Sequence, residues 1–454
     1  MLELNLGRFL QENKLNNGFK MNPLAQQLNE DIQSENPYVL EMLSDFGKRI
    51  FFPTAGILAQ AGDAKKNAYL YNATIGIALE NGTAMGLSTI TEQSKLDQHS
   101  YLPYAPSPGV PALRSKWKEL QLEKNPTMKA ESCSTPVVTN ALTHGISLVS
   151  SLTMNPGDKV VLADHFWGNY NLFYKATLGA EMAFFSLFDD EGNFNHASFS
   201  ETIKKGAEGV DKINIILNFP NNPTGYSVLS KDVEGIVNAV KEVADGGTNV
   251  CVICDDAYFG LFFEDEVLKE SLFGYFADCH ERVLAVKVDG ATKEDYVWGL
   301  RCGFLTYAAK GAGEKTFKAL EQKTGGAIRA TVSNVSHLGQ QMVLNSLNSD
   351  DYASQKQEKY DIMCGRYNKV KEVLSDAKFA EFFAPYPYNS GYFMTMKLLK
   401  GNAEKFRQHL IQSKGIGVIA IGESNVRVAF SCIEESQIED LFQKLYEAAE
   451  SFEV

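Results

Sequence analysis

Two side chains in the stretch Asp289-Gly-Ala-Thr-Lys-Glu-Asp-Tyr-Val-Trp-Gly-Leu-Arg-Cys-Gly303 could do chemistry together. Lys293 is an amine able to condense with a carbonyl, and Arg301 presents a planar fork suited to a phosphate. Gly299 and Gly303 flank the arginine and are expected to let the backbone turn tightly around it. On their own these residues read equally as a surface lysine and an ordinary ion-pair arginine. Two further polar groupings are Asn222-Pro-Thr-Gly225 and Asp255-Asp-Ala-Tyr258, each a candidate binding turn.

What must position them is a series of strands. Apolar runs rich in branched residues at 159–163, 182–187, 213–219, 250–254, 283–288 and 303–308 alternate with helical patterns. One of these opens near Ser230, places Val233, Ile236, Val237 and Val240 on one face, and closes at Gly246-Gly247. Another starts near Thr143 and carries Ile146, Val149 and Leu152. The alternation predicts an α/β fold: a large domain with a mainly parallel sheet covered by helices on both faces. Ligands gather beyond the C-terminal strand ends of such sheets, where Asn222, Asp255 and Lys293 all fall. A long polar helix over 350–376 leads to a smaller α/β domain. Its last helix carries Ile438, Leu441, Phe442 and Leu445 on one face, with capping-box spacing at Ser436 and Glu439. The expected division is 1–62 as an N-terminal helical arm packing with the small domain, 63–345 as the large domain and 346–454 as the small one. The arm reads as short helices broken at Pro37 and Pro53.

The composition narrows the class. With 56 acidic and 43 basic residues the net charge is -13, which disfavours nucleic acid and anionic lipid as partners. No apolar run reaches membrane-spanning length, and residues 1–20 lack the apolar core of a secretory signal, so a cytoplasmic location is expected. Cys251 and Cys254 have metal-pair spacing but lie within a strand, where residues three apart face opposite ways. They read as packing thiols, and no metal is expected.

In this order the three motifs resemble those of fold-type I pyridoxal-phosphate enzymes, specifically class I aminotransferases of the aspartate aminotransferase kind. The resemblance runs from about Asn72 to Phe430. It implies pyridoxal 5'-phosphate as cofactor, with Lys293 holding it covalently and then shuttling the proton. Asp255 is implied to pair with the ring nitrogen, Asn222 and Tyr258 to donate to the ring hydroxylate, and Trp167 to cover the ring face. A buried core tryptophan is the competing reading of Trp167. The phosphate is implied to lie at the N-terminus of the helix near Thr143, with Arg301, the Thr143 hydroxyl and Tyr101 of a second subunit. Where relatives have a glycine-containing turn before that helix, this chain has Ala141-Leu142. Where many have a serine, it has Gly290, so one phosphate hydrogen bond is either missing or supplied by Thr292.

For the substrate, the resemblance implies Arg427 as the grip on the α-carboxylate and Gly76, in Asn72 to Gly82, as a close backbone approach. Arg329 is implied as the ligand of a distal carboxylate across a dimer, against the reading of a helix-end arginine in water. The expected activity is amino transfer between an α-amino acid, dicarboxylic or aromatic, and a 2-oxo acid by a homodimer with shared sites. A lyase or decarboxylase on the same fold is the first alternative, and a cofactor-binding regulator without turnover the second.

Overall fold

The computed structural model describes residues 21–52, 56–93 and 96–452, so the readings made for residues 1–20 and for Pro53 lie outside the described residues. The arm begins with α1 (Pro23–Glu35), followed by the short helices Pro37–Met42 and Asp45–Arg49 and by α2 (Ile57–Asn67). Pro37 stands at the first position of its helix, where a missing N–H costs nothing, and the Asn36 side chain caps the turn.

The large unit follows α3 (Pro111–Lys124). Its strands are β1 (Val137–Asn140), β2 (Lys159–Ala163), β3 (Glu181–Phe185), β4 (Lys212–Asn218), β5 (Asn249–Asp255), β6 (Val283–Asp289) and β7 (Cys302–Ala309). They lie in the order β1-β7-β6-β5-β4-β2-β3, and all are parallel to their neighbours except β7, which is antiparallel to both β1 and β6. The central strands are buried on both faces, as continuous apolar runs require. On β5 the two faces feed separate cores, Cys251 and Ile253 into one and Val250, Val252 and Cys254 into the other, so the two thiols do point apart. Helix α4 (Ala141–Thr153) packs on the first side, whereas α5 (His196–Ala207) and α6 (Val233–Asp245) feed the second core.

Helices α7 (Glu314–Thr331) and α8 (His337–Leu347) precede the long α9 (Tyr352–Leu374), which leads to the C-terminal unit. That unit has four antiparallel strands in the order β8 (Phe383–Pro385), β9 (Phe393–Leu398), β11 (Asn425–Ala429), β10 (Ile419–Ile421). They pack with α10 (Ala403–Lys414) and α11 (Glu435–Glu450). The early chain is seated on this unit. Tyr71 and Asn72 pair in parallel with Ile416 and Gly417, and Gln60 on α2 exchanges two hydrogen bonds with the Ala420 backbone. The 72–82 region ends in a two-stranded hairpin, Leu79–Glu80 against Thr83–Ala84, with Asn81 and Gly82 both at positive φ. The expected capping box on α11 does not form. The cap is Glu434, not Ser436, so the helix begins two residues earlier, and the Glu434 carboxylate bonds Arg366 and the Asn81 N–H instead. Among the described residues no helix is long and apolar enough to cross a membrane.

Candidate active site

Lys293 lies in the single turn Ala291–Glu294 that leaves the end of β6, and its Nζ stands 4.6 Å from the centre of the Tyr258 ring. Burial pulls its amine down to about 8; the nearby Asp255 carboxylate opposes this and Arg301 adds to it. An amine so placed is neutral often enough to act as a nucleophile or base. Its backbone is fixed on one side by the Tyr392 hydroxyl, which donates to the Lys293 carbonyl at 3.1 Å. On the other side Glu294 and Asp295 are both buried. Lys124 of α3 and Lys356 of α9 converge on Glu294, while Lys356 and the Tyr352 hydroxyl bond Asp295. Burial acts to raise the Glu294 carboxyl, but the two ammonium groups overcome it and hold it at about 2.

The turn onward to Arg301 is made differently from the sequence expectation. Gly299 faces open space at an ordinary φ, and it is Tyr296 (φ 58) and Arg301 (φ 52) that take the left-handed conformation. Gly303 is required for another reason: a Cβ there would lie 2.7 Å from the Ala141 carbonyl carbon, so glycine lets the first turn of α4 settle against β7. Ala141 itself sits at φ 60, donates its N–H to the Arg301 carbonyl at 3.0 Å, and so links the start of α4 to the arginine turn. Leu142 and Thr143 follow in the first helical turn, where no side chain caps the free N–H groups. Gly290 also has a packing reason, since a Cβ would meet the Cys302 carbonyl at 2.7 Å, and the neighbouring Thr292 hydroxyl is buried without a partner among the described residues.

Asp255 ends β5, buried, with one carboxylate oxygen accepting from the Tyr170 hydroxyl and the other, Oδ1, without a partner among the described residues. Burial raises its carboxyl, with Tyr170 and Lys293 pulling the other way. Beneath it, Asp256 pairs with Lys287, which also stands 3.7 Å from Asp289; Trp117 and Gln121 donate to Asp289. This buried floor fixes the ends of β5 and β6, the strands carrying Asp255 and Lys293.

Asn222 and Tyr258 face the same space. The Asn222 Oδ1 accepts from Arg427 Nη1 at 2.9 Å, its backbone N–H bonds Asn218, and Tyr258 packs edge-on against Tyr392 and Phe393. Gly225 is indispensable to this geometry, because a Cβ there would fall 1.9 Å from the Phe393 carbonyl oxygen. Arg427, only 3 % exposed, lies over the Phe393 ring at 4.2 Å and donates Nη2 to the Thr74 carbonyl at 2.8 Å. Among the described residues its Nε has no partner, and no ion pair with a carboxylate is formed. Burial pulls the guanidinium down to about 10. Gly76 closes the space from above, so near that a Cβ would meet Phe393 at 3.4 Å and the Tyr258 hydroxyl at 3.5 Å.

The site thus gathers Lys293, Asp255, Tyr258, Asn222, Arg427 and Gly76, with Arg301, Ala141, Leu142, Thr143 and Thr292 adjoining. Trp167 is half-buried and set edge-on to Tyr170, the residue bonded to Asp255. Tyr101 is half-buried in a short helix packed on α8. Arg329 is exposed in the last turn of α7 and bonds the Ser333 hydroxyl at 2.6 Å. Sequence reasoning missed Tyr170, Tyr392, Phe393 and Thr74. Only Tyr392 and Phe393 carried a signal, as aromatics in the strand-like run after Gly391.

Comparison with known proteins bears on this arrangement. The family described as aminotransferase class I and II matches residues 74–445. The chain is 23% identical over 357 residues to an aspartate aminotransferase of Sulfurisphaera tokodaii, covering 76% of this chain and 82% of that protein. It is 21% identical over 347 residues to a probable N-acetyl-LL-diaminopimelate aminotransferase of Bacillus subtilis, covering 74% and 79%. Its fold is similar to that of an aminotransferase from Anaerococcus prevotii, with a TM-score of 0.79 at 22% identity over 90% of this chain and 99% of that one. It is similar also to the aspartate aminotransferase of Thermus thermophilus solved with maleate, at 0.71 and 16% over 89% and 99%.

Proposed function

Since the chain belongs to the class I and II aminotransferases, enzymes that use pyridoxal phosphate, we propose that it moves an amino group between a dicarboxylic amino acid and a 2-oxo acid at the site around Lys293. The residues present fit the cofactor. The unpartnered Oδ1 of Asp255 supplies a buried acceptor for a protonated ring nitrogen, and the uncapped first turn of α4 with Arg301 and Thr292 supplies donors for a phosphate. When bound, the group supplies an electron sink for the substrate α-carbon. Lys293 would hold the cofactor, and its Nζ would move the proton at the α-carbon. Asp255 would favour a protonated ring nitrogen, Asn222 and Tyr258 would donate to the ring hydroxylate, and Trp167 would lie against the ring.

The observation that carries the substrate reading is Arg427: a buried guanidinium facing the same space as Lys293 that, among the described residues, has no anion and no partner for its Nε. Such a group is costly unless a carboxylate joins it, and an α-carboxylate would do so. The preference for a second carboxylate rests on Arg329 and on relatives named aspartate aminotransferases. Arg329 is exposed and bonds its own Ser333; in this reading it serves the role from the second subunit of a homodimer, as Tyr101 does for the phosphate. The test is to mix the cofactor-loaded protein with aspartate, glutamate, tyrosine and alanine separately, without oxo acid, and follow the visible absorbance. Conversion by aspartate or glutamate, reversed by 2-oxoglutarate, is expected, and Arg329→Ala should weaken these two substrates while leaving alanine unaffected. Conversion by tyrosine or alanine alone removes the distal role from Arg329, and no response to any of the four overturns the general amino-acid reading.

A further inference from the structure

The strip of chain from Arg427 to Glu434, at the end of β11, grips the Ala73–Asn81 segment at successive points. The Ala429 N–H donates to the Ala73 carbonyl at 2.9 Å, and Arg427 donates to Thr74 at 2.8 Å. The Ser431 hydroxyl donates to the Ile77 carbonyl at 2.6 Å, and the Cys432 thiol lies 3.2 Å from the Ile75 carbonyl and 3.3 Å from that of Ile77. The Glu434 carboxylate accepts from Asn81 N–H at 2.8 Å, and Arg366 anchors the strip from below through the Ser431 carbonyl and Glu434. The gripped segment contains Gly76, the backbone that stands over Tyr258 and Phe393, between Ile75 and Ile77.

Two of these grips are side-chain donors that do not themselves face the reacting atoms. Burial pushes the Cys432 thiol up to about 11, so at neutral pH it is a donor and not a nucleophile. We propose that Ser431 and Cys432 are positioning residues for the amino-acid substrate. They act through the carbonyls of Ile75 and Ile77 to set the height of Gly76, so that this wall and the guanidinium of Arg427 form one rigid piece. The assignment rests on the aminotransferase reading above for its substrate. A segment held this way changes how tightly the substrate is bound, with the bond-making at Lys293 untouched.

The experiment uses the full chain loaded with pyridoxal phosphate, as wild type and as Ser431→Ala, Cys432→Ala and Cys432→Ser. Binding of maleate, a dicarboxylate without an amino group, is titrated through the visible absorbance. KM and kcat are measured with the preferred amino acid, and hydrogen–deuterium exchange is followed over residues 72–84. Loss of one such hydrogen bond should raise the maleate Kd and the KM together by about fivefold, with kcat held within about twofold. Exchange should quicken at 73–81 and nowhere else, and Cys432→Ser, which keeps a donor, should return to wild-type values. Unchanged affinity and exchange in both alanine variants, a fall in kcat at constant KM, or a serine at 432 that behaves as the alanine does would each overturn the proposal. Wild-type protein inert toward every amino acid would count against the aminotransferase reading alone, because the exchange measurement judges the grip by itself.

Discussion

The amine of Lys293 offers a sharp test, because burial and two named groups set its proton affinity in known directions. Burial and Arg301 lower it and Asp255 raises it, with the result near 8 in place of 10.5. The displacement corresponds to about 3 kcal/mol against the ammonium form. Near pH 7 it leaves about one amine in ten neutral, where an ordinary lysine would have about one in three thousand. The rate at which the cofactor-free protein captures pyridoxal phosphate should therefore rise with pH with a midpoint near 8, with a small amine run alongside to remove the cofactor's own titration. Asp255→Asn deletes the charge that opposes burial, so its midpoint should fall below that of the wild type. Arg301→Gln deletes a charge that assists burial, so its midpoint should rise. The linkage has a definite sign: the unfolded chain holds this proton up to about 10.5 and the folded one loses it near 8, so stability from this group increases with pH across that window. Lys293→Met should then stabilise the cofactor-free protein at neutral pH and lose that advantage toward alkaline pH. A capture midpoint near 10.5, or two variants that shift the same way, would refute the argument.

Other perturbations follow from single contacts. Arg427→Lys keeps the charge but not the fork, so KM for the amino acid should rise by about a hundredfold, read from steady-state kinetics. Ala141→Gly removes a left-handed alanine and should raise stability by about 1 kcal/mol in urea unfolding, whereas Gly303→Ala, which drives a methyl group into Ala141, should lower it by about 1–3 kcal/mol and weaken cofactor retention. Glu294→Gln leaves Lys124 and Lys356 facing each other without their shared carboxylate; a loss of about 3 kcal/mol is expected from the same unfolding measurement.

The strand ends were readable in the sequence because buried parallel strands are continuous apolar runs, and Asn222, Asp255 and Lys293 follow such runs directly. Arg427 was readable only through the resemblance, from its place in the order of motifs, since an arginine in the strand Asn425–Ala429 reads by itself as an outward-facing surface residue. The partners of these residues were not, since they come from far along the chain: Lys124 reaches Glu294 across 170 residues and Tyr170 reaches Asp255 across 85. No local pattern encodes such pairings. Glycine was legible as a marker and not as a cause. Gly299 looked like the hinge of the arginine loop and faces open space, while Gly290, read as a missing donor, is fixed by the Cys302 carbonyl against which any side chain would press.

The parallel pairing of Tyr71 and Asn72 with Ile416 and Gly417 joins two segments that are made far apart in time. During synthesis the earlier strand emerges with its backbone donors and acceptors open and lacks this partner until Ile416 and Gly417 have been extruded. The large sheet between them can assemble first, domain before arm, and the closing of so long a loop comes afterward. The Ala73–Asn81 segment and Arg427, which bonds Thr74, therefore come together last. A nascent or truncated chain that stops short of Ile416 would present a folded sheet with an unpaired strand beside it, a form suited to aggregation rather than to partial activity.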